Sequence, residues 1–131
     1  MTMHPDYIPG VCNIGSAEVA KRRSLGVVGV VVTLLAWGTM LVLDVPAMVL
    51  AITFVMAFLA ATGFLQARRH FCPGYGMHAM TNFSDTIGAH ENVIDPADAA
   101  TDKVASRQLT LHAVLIAAAV AVVAVASAIA L

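Results

Sequence analysis

The amino-acid sequence predicts an all-α membrane protein: a helical hairpin followed by a third long transmembrane helix, with the N-terminus inside and the C-terminus outside. Three observations lead there. The chain is 60% hydrophobic and 11% charged, against roughly half and about a quarter for a soluble domain. Three separate segments, each about 20 residues long, carry no Lys, Arg, Asp or Glu, which is the length that crosses a hydrocarbon core of about 30 Å. All 7 cations, Lys21, Arg22, Arg23, Arg68, Arg69, Lys103 and Arg107, stand beside those segments and not within them.

Residues 1–23 form a polar N-terminal segment, too long before the first apolar run and lacking a small-residue cleavage motif, so no removable signal peptide is expected. Gly15 with Glu18 suits a helix start, the carboxylate lying near the positive end of the macrodipole. The hairpin occupies residues 24–66, with spans at 24–43 and 45–65. Between them stands Asp44 alone, followed by Val45-Pro46, where proline suits a first helical turn and cannot prolong the preceding helix. Residues 67–95 form a polar loop whose aromatics, Phe71, Tyr75 and Phe83, argue for packing or for the interfacial belt. Asp95-Pro96-Ala97-Asp98 then has the chemistry of a helix start, with an Asp cap and Pro at the first position. A helix over 96–131, including a span at 109–131, would be about 54 Å long at 1.5 Å per residue and would outreach the bilayer. A chain that crosses and returns collects all the cations on one face, which the positive-inside rule makes cytoplasmic. Gly26, Gly29 and Gly38, and the alanines of the third span, permit close helix approach, or are simply residues common in such helices.

The stretch HFCPGYGMH, residues 70–78, is the richest in chemistry. The hairpin brings Cys12, ahead of the first span, to the same face as Cys72, after the second. A lasting disulfide is disfavoured there, because cytoplasmic reductants keep thiols reduced. Cys12 and Cys72 with His70 and His78 offer two sulfurs and two nitrogens, a donor set compatible with tetrahedral zinc, and nearby Met77 and Met80 would suit copper(I). The competing reading is structural: buried cysteine acts as a small apolar residue, and Pro-Gly after Cys72 is turn chemistry. His112, about one turn inside the third span, is either a ligand or proton carrier or a side chain that snorkels to the headgroups. Arg22 or Arg23 is expected to pair with Glu18 or a loop aspartate in a surface ion pair. Asp85, Glu91, Asp95, Asp98 and Asp102 read as a solvated face and helix start.

The arrangement Asn13-Ile14-Gly15, then Glu18, then Arg22, then two short apolar spans, then Cys72-Pro73-Gly74-Tyr75-Gly76 resembles the YgaP-like transmembrane family over about residues 12–77. That family comprises small bacterial inner-membrane hairpins that open on an Asn-x-Gly, acidic and Arg pattern and close on Cys-Pro-x-Tyr. The resemblance implies a bacterial inner-membrane location and marks Asn13, Gly15, Glu18, Arg22, Pro73 and Tyr75 as motif residues. Some relatives carry a rhodanese sulfurtransferase domain ahead of the hairpin, which implies sulfur handling near the membrane. The third span and the longer polar loop depart from that pattern.

The sequence contains no Gly-x-Ser-x-Gly, phosphate-binding loop or His-Glu-x-x-His. A net charge of −1 without a basic, aromatic-interleaved tract gives no expectation of nucleic-acid binding. The expectation is a non-catalytic accessory or scaffold subunit, in contact with the lipid bilayer and with other membrane proteins or copies of itself. The alternative is a cytoplasmic-face thiol or metal module built on Cys12 and Cys72.

Overall fold

A computed structural model describes residues 3–131. Helix α1 covers Ser16–Val42, a 3-10 turn covers Ala47–Ile52, and α2 follows directly over Thr53–Arg69. A short helix, α3 (Pro73–Met77), and two antiparallel two-residue strands, β1 (Met80–Thr81) and β2 (Glu91–Asn92), lead to α4 (Pro96–Ala130). Three helical stretches, Ser16–Val42, Ala47–Arg69 and Pro96–Ala130, are long and apolar enough to cross a membrane. The fold class is therefore an all-helical one with three candidate spans.

The hairpin turn is as tight as the sequence implies. Asp44 adopts the left-handed conformation at φ 54°, a region Asp tolerates because its short polar side chain can bond locally. The second span opens differently from expectation. Pro46 precedes a 3-10 turn instead of entering the first α-turn, and regular α-helix begins only at Thr53. At the other helix starts the expected chemistry is present. Gly15 is the N-cap of α1, while Asp95 caps α4 by accepting from the Ala97 amide at 2.8 Å, with Pro96 at the first position.

Helix α2 lies between the other two. Its contact with α1 is made backbone to backbone, since a Cβ on Gly63 would lie 2.7 Å from the Gly26 nitrogen and one on Gly29 would lie 2.8 Å from the Ala60 Cα. In lipid, where apolar side chains gain little from leaving the solvent, such close approach is the main source of helix–helix attraction. Gly38 takes no part, since a methyl group added there would meet nothing within 4 Å. On α4 the buried positions Asp102, Ser106, Leu109, Ala113, Ala117 and Ala124 recur at helical spacing and form one stripe. Trp37 donates to Ser127 at 2.9 Å, joining α1 to α4 far from the cations.

The remaining apolar surface faces outward. Leu34, Leu35, Val55, Leu59, Leu115 and Val122 are all exposed, as lipid-facing residues are and as the surface of a soluble protein is not.

Candidate functional site

Within residues 67–95 the end of α2, the short α3 and the strands β1 and β2 give the polar loop some regular structure. His70 ends α2 in the left-handed conformation, φ 53°, and this reverses the chain toward the N-terminal segment. The His70 carbonyl then accepts from the Asn13 and Ile14 amides at 3.0 and 3.3 Å. Asn13 and Cys72 lock the two segments together: the Cys72 amide donates to Asn13 Oδ1 at 2.7 Å, and Asn13 Nδ2 donates to the Cys72 carbonyl at 3.1 Å. Gly15 and Asn13 also bond the backbone of Asn82, at 2.8 and 3.0 Å. A side chain at position 15 would press on the Phe83 backbone at 3.1 Å. The N-terminal segment is thus a strand-like strap, its side-chain amide standing in for sheet partners.

Beneath this strap lies a buried carboxylate. Glu18 is 1% exposed. Its Oε1 accepts from the Gly88 amide at 2.9 Å, from Asn82 Nδ2 at 3.3 Å and, at a long 3.5 Å, from the Tyr75 hydroxyl. Its Oε2 has the Arg22 terminal nitrogen Nη2 at 2.8 Å as an ion pair and no hydrogen bond of good direction. Arg22 in turn donates through Nε to Gln66 Oε1 at 2.8 Å and through Nη2 to the Cys72 sulfur at 3.5 Å. A pair expected at the surface is therefore interior. Removing one partner from such a pair leaves the other charge without compensation, which is costly, whereas surface pairs contribute little. The Tyr75 hydroxyl is pushed above its usual pKa, first by burial and then by the Glu18 charge.

A second buried carboxylate, Asp102, corrects its assignment to a solvated face: it is 0% exposed. Tyr7 donates its hydroxyl to Asp102 Oδ2 at 2.6 Å and the Gly10 amide donates to Oδ1 at 2.7 Å, so the N-terminal segment clasps α4 as well as α2. Burial, then the bond to Asp102, raises the Tyr7 pKa well above its ordinary value. Helix α3 links the two carboxylate centres. Tyr75 faces Glu18, while the next residue, Gly76, abuts Ser106 Oγ and the Asp102 carbonyl with no room for a Cβ.

The motif residues Asn13, Gly15, Glu18, Arg22, Cys72 and Tyr75 therefore meet in one network, with Pro73 buried at the start of α3. The four proposed metal ligands do not. Cys12 donates its thiol to the Ile14 carbonyl at 3.7 Å and has its pKa raised by burial. His78 bonds the Gly74 carbonyl at 2.8 Å, His70 contributes its backbone carbonyl, and Cys72 takes the Arg22 contact. Among the described residues no three His, Cys, Asp or Glu side chains gather as ligands, so a zinc or copper centre of Cys12, Cys72, His70 and His78 is not assembled. Both cysteines are free thiols.

His112 has a different partner from those expected. Arg69 lies 2.9 Å from its Nδ1. Because a guanidinium can only donate, Nδ1 is the acceptor in this contact. Four contributors escaped the reading of the sequence: Gln66, Asn82, Gly88 and the Asp102–Tyr7 pair. Only Asp102 had a legible signal, since it continues the buried stripe of α4 one turn before Ser106. No family model, curated protein or solved structure matches the chain.

Proposed function

We propose that the chain is a YgaP-like hairpin extended by a third span, residing in the bacterial inner membrane with N-terminus in and C-terminus out, and acting as a non-catalytic accessory or scaffold subunit. One observation carries this reading: the motif's polar groups bond to one another. The Asn13, Glu18, Arg22 and Asn82 side chains hold α1, α2 and the strap in register, while the long apolar faces of α1 and α4 are left open to neighbours. A rigid head above bare helices is what a packing subunit needs.

Gentle detergent extraction followed by native mass analysis tests it. A partner chain or a second copy held in constant ratio is the expected result; a monomer without any protein partner under every mild detergent would count against the reading. Reporter fusions after residue 131 are expected to be active outside the cytoplasm, and cytoplasmic activity there would reverse the orientation.

The Arg22–Cys72 contact favours a second reading, a thiol module at the cytoplasmic face, because it sets a free thiol against a guanidinium. Thiol titration and elemental analysis of the purified protein decide it. An unreactive Cys72 in metal-free protein, with Cys72→Ser leaving partner retention unchanged, supports the scaffold and ends the thiol reading.

A further inference from the structure

A groove runs down one flank of the hairpin from its cation-bearing end. Its upper wall is Lys21 and Arg22 with Cys72, and its lower walls are apolar residues of α1 and α2, such as Leu25, Val28 and Leu59. Gly29 and Gly63 also line it, at the place where α1 and α2 meet backbone to backbone.

Size restricts the occupant. From Lys21 to Val32 the α1 wall covers about 16 Å at 1.5 Å per residue. The groove offers about 530 Å³ along that wall. It has the length and the volume for an extended hydrocarbon chain.

Charge restricts it further. Arg22 commits Nε and Nη2 to Gln66, Glu18 and Cys72, and among the described residues its Nη1 has no protein partner. Lys21 is exposed and, among the described residues, forms no ion pair. One uncompensated cation and one unused guanidinium nitrogen therefore stand at the head of an apolar slot. We infer that the groove holds a resident anionic phospholipid, with its phosphate on Lys21 and Arg22 Nη1 and one acyl chain along Leu25, Val28 and Val32. The chemistry that selects it is a negative headgroup joined to a slender apolar tail. The site rests on the membrane-spanning reading, and alkaline extraction separates the two: release of the chain from membranes would defeat that reading before any lipid is measured.

The test uses the full chain in vesicles of equal parts phosphatidylglycerol and phosphatidylethanolamine, extracted into mild detergent and weighed by native mass spectrometry. One retained phosphatidylglycerol per chain is expected. Lys21→Glu should lower that occupancy at least about fivefold, since each basic residue near a lipid surface contributes about 1 kcal/mol, and the new carboxylate repels the phosphate besides. Val28→Trp, at an exposed groove wall, should expel the lipid with the charges intact. Arg68→Glu removes a cation from the same helix end that lines a different cavity, and should leave occupancy within about twofold. Cys72 supplies a second readout, since lipid loss should speed its alkylation while Cys12 keeps its rate. Equal retention of both lipids by the unaltered chain, or equal losses from Lys21→Glu and Arg68→Glu, would overturn the site and leave only diffuse attraction between charges and membrane.

Discussion

At the cation-bearing end, Asn13, Glu18, Asn82 and Asp102 are at most 2% exposed and each is hydrogen-bonded across elements, whereas toward the hairpin turn Val42, Leu43 and Met48 lie exposed. The middle of the hairpin is held by glycine and alanine backbones in contact. The difference teaches how one small chain meets two solvents. In the apolar half, close packing of small residues is the main available attraction, because lipid already solvates Leu and Val. At the head, water competes for every polar group, and only a buried, mutually satisfied network outlasts that competition.

If that contrast is right, damage at the head should depend on charge and damage in the hairpin on volume. Arg22→Met should have the largest effect, a loss of about 3–5 kcal/mol, because it strands the buried Glu18 carboxylate. Adding Glu18→Gln to Arg22→Met, which removes the stranded charge and keeps an oxygen for the Gly88 amide and Asn82, should restore much of the loss. Unfolding by SDS in mixed micelles measures both, and a single-variant loss near zero would mean the pair is hydrated and the contrast false.

Gly63→Val comes next, expected to lose about 1–3 kcal/mol by forcing α1 and α2 apart. Its effect should be the same at low and high salt, since no charge is involved; a strong salt dependence would contradict the packing account. Tyr7→Phe removes one of two donors to Asp102 and should lose about 1–2 kcal/mol, seen as faster proteolysis of residues 3–12.

The same bond has a pH signature. Burial and Asp102 hold the folded-state pKa of Tyr7 above its ordinary 10.0, so the folded chain keeps a proton that the unfolded chain releases. This contribution is complete below pH 10 and is lost as pH rises from there toward the raised value. Proteolysis of the strap should therefore accelerate above pH 10, and Tyr7→Phe should lack the step. The smallest effect belongs to Gly38→Ala, whose methyl meets nothing. It should be neutral or gain about 0.5–1 kcal/mol from helix propensity, and a marked loss would reveal a partner helix at that position.

Much of this was legible in linear form, and the reasons are local. Uncharged length marks a span, Asp95-Pro96 marks a helix start, and Asp44-Val45-Pro46 marks a reversal, because each depends on residues within one or two turns. The glycine contacts were half legible. Gly26, Gly29 and Gly38 look alike in sequence, yet only the first two meet α2, since the helix phase relative to a neighbour is a tertiary quantity.

The head was least legible. His70, Cys72 and His78 are close along the chain and so resemble a ligand cluster, but the left-handed turn at His70 and the helix at Pro73 send them to different partners. Glu18 and Arg22, one turn apart, suggested a surface pair, and the burial came from Gln66, Asn82 and Gly88, which lie 44 to 70 residues away.

Order along the chain was thus enough to establish three apolar helices, the starts of the first and third, and the cations beside them, because hydropathy and capping act over short distances. Which carboxylates are buried, which glycines touch and which thiol faces a guanidinium were decided only when remote segments closed on one another. A charge becomes interior when neighbours exclude its water, and those neighbours are supplied by the fold.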